Sequence, residues 1–285
     1  MTSVVGCIGL GNMGSALAEN LVKAGERVVA HDAAGVTRNV DGATWADDVA
    51  AVAQQADVIV FSLPDGRISE LVARQIVAAE DRRVTGIVDT STIGPAAAGV
   101  IDGLLSAVGV DYIDAPVSGG VAGARARTLA VMYSGSDRAC AAAQTVLAGL
   151  SDKRKRVGDR PGLAQAVKLA NNFLSATALA ATSEAVAFGV AAGVDMSVML
   201  EVLNASSGHN TATGDKFPNH VVTGRYASGF SNSLMAKDVK LYLQSVHEQG
   251  GPDTFGSLTE ATWRAFAEAD PNVDFTRIYP YVTGS

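Results

Sequence analysis

Short apolar runs rich in β-branched residues recur along the first half of the chain, at residues 4–8, 28–31, 58–63, 86–89, 112–114 and 130–134. Between the first five lie segments long enough for crossover helices, such as 15–23, where Leu17 and Leu21 stand four apart. Strands alternating with helices predict a parallel sheet covered on both faces, with right-handed crossovers. After about residue 160 the pattern changes. Residues 163–192 hold no proline, one interior glycine and abundant alanine, and read as one long helix ended by Gly193. Asp195 then caps a helix over 196–203. Pro218, Gly224 and Gly229 mark a loop, and helices over 233–249 and 255–269 follow, the last closed by Asp270-Pro271. The expected architecture is α/β: a doubly wound parallel sheet over 1–161 and an all-α domain over 162–285.

Composition narrows what such a chain does. Of 285 residues, 48% are hydrophobic and 18% charged, which excludes a disordered chain. A net charge of −7 argues against nucleic acid and against an anionic membrane surface as partners. The one basic run, Lys153-Arg154-Lys155-Arg156, reads as a solvated turn. The uncharged stretch 169–183 is interrupted by Asn171, Asn172, Ser175 and Thr177 and falls short of the roughly 20 apolar residues of a membrane span. Two cysteines make neither a disulfide framework nor a zinc site, and Cys7, inside an apolar strand, reads as a small buried hydrophobe. His209, His220 and His247 have no second ligand spaced for a metal, so none is expected. The chain runs directly into the 4–8 strand with no basic leader, and a cytoplasmic setting is expected.

Gly9-Leu10-Gly11-Asn12-Met13-Gly14 follows an apolar strand and opens a helical segment, the context in which GxGxxG has a mechanism. Gly9 permits the tight turn, Gly11 lets a pyrophosphate approach the backbone, and Gly14 lets the helix pack on the strand, so the sheet is expected to be of Rossmann type. The helix beginning near Asn12 then offers unpaired N–H groups to phosphates. The second strand ends at His31-Asp32, 18 residues after Gly14. A carboxylate there accepts from both adenosine ribose hydroxyls and repels a 2′-phosphate, which favours NAD over NADP. Arg38 lies six residues on and is a weak objection to that preference. His31 faces the other side of the strand and reads as structural.

Lys168 and Asn172 stand four apart on the long helix and project from one face. A lysine facing a cleft is a candidate proton shuttle, since desolvation and nearby positive charge favour its neutral form, although one such pair alone also fits a solvated helix face. Their company is more specific. Gly9–Gly14, Asp114-Ala115-Pro116-Val117-Ser118-Gly119-Gly120, Lys168-Leu169-Ala170-Asn171-Asn172 and Leu234-Met235-Ala236-Lys237-Asp238 occur in this order. Together they resemble the β-hydroxyacid dehydrogenase family over nearly the whole chain.

The resemblance implies a role for each matching residue. Ser118, Gly119 and Gly120 match the stretch that binds the substrate carboxylate. Lys168 matches the general acid/base, and Asn172 the residue that hydrogen-bonds substrate beside it. Lys237 matches a lysine that reaches the cofactor, with Asp238 after it. Leu63, Pro64 and Thr92 match loops lining the dinucleotide, and Phe230 is expected to pack near substrate. The implied reaction is NAD-dependent, reversible oxidation of a small anionic β-hydroxyacid, 3-hydroxyisobutyrate-like, to its semialdehyde or ketone. The resemblance also implies a homodimer or homotetramer, consistent with Leu174, Leu179, Val186 and Phe188 on more than one face of the long helix.

Two departures stand out: Ala164 replaces the second glycine of Gly-x-Gly before the lysine segment, and His209 stands where several members have arginine. Two other readings remain at this point, an imine reductase, which typically lacks the lysine at the position of Lys168, and a dinucleotide-binding scaffold without turnover.

Overall fold

The β-branched runs of the first half pair into one nine-stranded sheet in the computed structural model, which describes residues 3–284. The strands are β1 (Val4–Ile8), β2 (Arg27–His31), β3 (Thr44–Trp45), β4 (Val58–Phe61), β5 (Gly86–Asp89), β6 (Asp111–Asp114), β7 (Val117–Ser118), β8 (Ala130–Ser134) and β9 (Lys153–Gly158). They lie in the order β3-β2-β1-β4-β5-β6-β8-β7, with β9 also paired to β8. All pairs among β1 to β6 are parallel. Helices α1 (Asn12–Lys23), α2 (Val49–Gln55), α3 (Gly66–Ala78) and α4 (Pro95–Ser106) lie between these strands in the chain.

Strand residues alternate between two cores, as a sheet covered on both sides requires. Val5, Cys7, Val60, Val88 and Ile113 pack with Leu17 and Leu21 of α1. Val4, Ile8, Ile59, Phe61, Ile87 and Tyr112 pack with Val52, Ile76 and Ile101 of α2, α3 and α4. The first core also takes in α5 (Gly120–Arg125), α6 (Asp137–Ala142) and α7 (Gln144–Leu150), through Ala124, Cys140 and Leu147. Inside it, Asn20 of α1 donates its amide N–H to Ala124 O at 2.7 Å, tying α1 to α5.

The sheet departs from the sequence reading at one edge. β8, the sixth predicted run, is antiparallel to β6 and β7. The chain between β6 and β8 spends its length on β7 and a six-residue helix, too little to cross a face of the sheet. The basic run 153–156 is not a solvated turn. It forms most of β9, parallel to β8, with Lys153 and Lys155 exposed. Arg156, half-buried, donates to Gly135 O at 2.9 Å and pairs with the exposed Asp137 at 2.7 Å. Charges spaced two apart suit an edge strand, which shows one row of side chains to water.

The chain divides into two compact units, Met1–Lys168 and Leu169–Ser285. The long helix α8 (Leu163–Ala191) begins in the first and continues through the second, followed by α9 (Met196–Asn204), α10 (Asn232–Glu248), α11 (Thr254–Ala269) and α12 (Ile278–Thr283). The second unit has its own core around Trp263, Phe266, Phe217 and Phe275, which also takes in Leu179 and Val186. Those two residues are therefore internal, whereas Leu174 and Phe188 remain 64% and 77% exposed. By length and composition α8 could cross a membrane, contrary to the reading from residues 169–183. Its buried Gln165, Lys168, Asn172, Thr182 and Ser183 belong to a packed protein interior instead.

Residues 212–221, expected as loop around Pro218, form a π-helix, Ala212–Val221. Proline has no N–H to give, so in this winding Thr213 O would lose its partner. Asn204 fills the gap by donating its amide N–H to Thr213 O at 3.0 Å. Asn210 completes the start by accepting from Ala212 N at 2.7 Å.

Two carboxylates are buried at the ends of β5 and β6. Asp89 and Asp114 are register partners, and both are fully enclosed. Burial pushes the Asp89 carboxyl up to about 6, against the hydrogen bonds from Ser91 and Tyr112 that hold it down. Burial likewise raises Asp114, although Ser134 and Gln165 N donate to it. A carboxyl raised on folding adds stability fully present below its unfolded value near 4 and lost as pH rises through about 6. In Asp89→Asn the amide keeps the Ser91 contact without the charge. Urea denaturation should show the variant gaining on wild type between pH 4 and pH 7, by on the order of 3 kcal/mol. A constant difference across that range would refute the assignment.

Candidate active site

The turn between β1 and α1 is the tightest backbone approach in the first unit. Gly9 has φ +91°, and a Cβ on it would stand 2.4 Å from Ser62 O; one on Gly14 would stand 1.9 Å from Gly9 O. Side chains cannot occupy either place. A Cβ on Gly11 would meet nothing within 4 Å, and no side chain caps α1, whose N-cap is Gly11. The first N–H groups of α1 thus face open space, the arrangement that receives phosphates. Leu10 is buried in the core, Met13 packs against it, and Asn12 is exposed at the helix start.

Asp32 follows β2 and is tied to this turn. Its Oδ2 accepts from Leu10 N at 2.6 Å and its Oδ1 from Ala34 N at 2.7 Å. Each carboxylate oxygen has a second lone-pair direction with which to accept from a ribose hydroxyl. His31 is anchored away from it, with Nδ1 3.0 Å from Ala46 O and its ring tilted against Trp45. Arg38 is exposed in a short 3₁₀ turn, Val36–Arg38.

The remaining loops of the first unit leave the same end of the sheet. Leu63 follows β4 and donates its N–H to Ser91 Oγ at 2.8 Å; Pro64 comes next. Thr92 follows Ser91 beyond β5. These residues, the glycine turn and Asp32 all lie past the C-terminal ends of parallel strands, where the order reverses between β1 and β4. That switch point is where an open α/β sheet binds its ligand. Ser118 ends β7, and Gly119 and Gly120 follow with φ of +131° and +66°, folding the backbone into α5 as L side chains rarely can.

Helix α8 starts without a neighbouring cap residue and is held from the sheet instead. Ala164 N donates to Ser134 Oγ at 2.8 Å and Gln165 N to Asp114 Oδ2 at 2.8 Å. Lys168, one turn on, is 7% exposed, unusually enclosed for a lysine.

In the second unit Asn172, on α8, donates its amide N–H to Asp238 Oδ2 at 2.6 Å. Asn172 Oδ1 accepts from Asn171 at 3.1 Å. Lys237 Nζ lies 3.2 Å from Asp238 Oδ1 as an ion pair, and Asp238 is 2% exposed. The structure thus brings Asn172, Lys237 and Asp238 together. Phe230 packs edge-to-face on Phe275, 5.7 Å between ring centres, at the edge of the second core. His209 is exposed, and no cluster of three metal-ligating side chains occurs among the described residues.

Sequence reasoning passed over Asp238, Gln165 and Ser91 as site residues. Asp238 follows Lys237 in a quoted motif, and Gln165 is a polar residue three before Lys168 in an otherwise apolar stretch. Ser91 carried no such signal.

Comparison with known proteins finds two family models, one for each part of the chain. The family model for the NAD-binding domain of 6-phosphogluconate dehydrogenase matches residues 4–158. That described as NAD-binding of NADP-dependent 3-hydroxyisobutyrate dehydrogenase matches residues 162–282. A 3-hydroxyisobutyrate dehydrogenase of Pseudomonas aeruginosa is 35% identical over 97% of both chains. The structure of a Mycobacterium tuberculosis 3-hydroxyisobutyrate dehydrogenase with L-serine superposes with a TM-score of 0.90 at 29% identity, over 99% of each chain. An imine reductase of Myxococcus stipitatus shares only the fold, with a TM-score of 0.65 at 20% identity over 99% of this chain and 100% of its own. The sheet is a Rossmann-type, NAD(P)-binding domain joined to a helical domain, and the protein is an oxidoreductase. The chain belongs to the β-hydroxyacid dehydrogenase family, with the 3-hydroxyisobutyrate dehydrogenases as its relatives.

Proposed function

We propose that this protein reversibly oxidises a small anionic β-hydroxyacid, 3-hydroxyisobutyrate-like, to its semialdehyde or ketone, with Lys168 as acid/base. The observation that carries this reading is a lysine 7% exposed, one turn along α8 from an asparagine whose amide is fixed by Asp238. A lysine is rarely enclosed so far without a task. Bound nicotinamide supplies the hydride acceptor and donor. Neutral Lys168 takes the hydroxyl proton during oxidation and returns it during reduction. Asn172, oriented by Asp238, hydrogen-bonds the reacting oxygen. The Ser118 hydroxyl and the N–H groups of Gly119 and Gly120 anchor the substrate carboxylate. Phe230 is assigned to the substrate side of the site. L-serine, bound in the Mycobacterium tuberculosis relative, is itself a β-hydroxyacid.

For the dinucleotide we assign residues 9–14 to the pyrophosphate, Asp32 to the adenosine ribose, and Leu63, Pro64, Thr92 and Lys237 to the remaining contacts. Asp32 favours NAD over NADP by its charge. Residues 1–161 form the cofactor domain and 162–285 the substrate and oligomerisation domain, in a cytoplasmic homodimer or homotetramer. The exposed Leu174, Phe188, Phe255 and Leu258 of the second unit support self-association.

Four experiments test this reading. With NAD, a panel of C3–C5 β-hydroxyacids should yield NADH, and methyl esters of good substrates should lose about 1.5–3 kcal/mol in kcat/KM. In the same assay Lys168→Ala should lower kcat by about 10²–10⁴ while dinucleotide binding, followed by fluorescence titration, stays near wild type. A variant that keeps most of its turnover removes Lys168 from the chemistry. Asp32→Ala should weaken both cofactors, because Leu10 N loses its acceptor, yet narrow the NAD/NADP ratio of kcat/KM by about tenfold. An unchanged ratio places the discrimination elsewhere. Sedimentation at micromolar concentration should give a dimer or tetramer, and a monomer alone would refute self-association.

A further inference from the structure

The Gln165 amide is completely buried in the first turn of α8, and both of its ends are engaged. Its Oε1 accepts from Ile93 N at 2.9 Å and from Gly94 N at 3.1 Å, and its Nε2 donates to Ser91 O at 2.9 Å. One side chain thus satisfies three backbone groups of the segment after β5. Ser91 extends the link, because its hydroxyl accepts from Leu63 N after β4 at 2.8 Å. From below, Gln165 N is held by Asp114 Oδ2 and Ala164 N by Ser134 Oγ. The start of α8 is therefore clamped between the ends of β6 and β8 and the two loops that carry Leu63 and Thr92. Lys168 follows Gln165 by three residues, on a neighbouring face of the same helix.

We propose that Gln165 is a positioning residue for the redox reaction: its amide locks the first turn of α8, and with it Lys168, onto the loops that carry Leu63 and Thr92. This rests on Lys168 as acid/base. A buried glutamine that only filled space would be replaceable by a side chain of similar volume. Here the shape of the amide matters, because an acceptor must face two N–H groups while a donor faces a carbonyl. Without it the turn shifts to relieve two unpaired N–H groups, and small displacements of a catalytic group lower the rate steeply.

The test compares steady-state kinetics of the full-length wild type with Gln165→Met, Gln165→Glu and Lys168→Ala. Gln165→Met keeps the volume and loses the acceptor, so kcat should fall by about 100-fold, with KM for hydroxyacid and NAD changing much less. Gln165→Glu supplies a finer readout. As the neutral acid it accepts from Ile93 N and Gly94 N and donates to Ser91 O, as the amide does. As a carboxylate it sets a negative oxygen against that carbonyl. The ratio of its kcat to that of wild type should therefore rise as pH falls from 8 to 6. Asp89 and Asp114, the buried carboxyls beside this turn, are present in both proteins and largely divide out of the ratio, and Tyr112, raised well above its ordinary value by burial, stays protonated in both. A Gln165→Met enzyme within about twofold of wild-type kcat, or a Gln165→Glu ratio flat with pH, overturns the proposal. Should the methionine variant not fold, the glutamate profile decides alone. An inactive Lys168→Ala beside a fully active Gln165→Met removes the positioning role and leaves the acid/base reading standing. Turnover retained by Lys168→Ala removes both.

Discussion

Helix α8 begins where no local residue can cap it. Pro161 and Gly162 precede Leu163, and neither offers a side-chain acceptor to the first free N–H groups. The acceptors come from the sheet, from Asp114 at the end of β6 and Ser134 at the end of β8. The start of α8 is therefore set by long-range hydrogen bonds, and Lys168 inherits its place from them. The antiparallel return of β8 matters for the same reason, since it brings Ser134 beside Asp114.

The same strand ends hold two buried carboxyl groups. Asp89 and Asp114 face each other across the register of two parallel strands in an acidic chain, and burial raises both. What keeps them there is partnership: Ser91 and Tyr112 donate to one, Ser134 and Gln165 N to the other. A buried polar cluster of this kind favours one arrangement of its backbone strongly, because any other leaves groups without partners. That rigidity suits loops that must hold a dinucleotide. Asp32 does the corresponding work at β2, where its carboxylate fixes Leu10 N and so the glycine turn.

The second unit meets its polar demands differently. Asp238 is enclosed with Asn172 and Lys237, so a carboxylate neutralised by a neighbouring cation orients an amide. Around Pro218 the chain winds as a π-helix, and Asn204 supplies the donor that Thr213 O would otherwise lack. The first joins residues 66 apart in the chain, the second residues only nine apart.

Much of this protein follows from local pattern. The alternation of β-branched runs with helical segments determined the doubly wound parallel sheet, because strands buried on both faces must be apolar throughout. The GxGxxG spacing determined the β1–α1 turn, because no side chain fits at Gly9 or Gly14. Lys168 and Asn172 were legible as a pair, since helical periodicity alone puts them one turn apart. The antiparallel place of β8, the strand made by Lys153–Gly158 and the π-helix were decided only by tertiary structure, since each depends on partners that local propensity does not name. So were the burial of Asp89 and Asp238 and the fourfold engagement of Gln165. A polar residue in a sequence shows what it can bond to, and only the folded chain decides which groups arrive to meet it.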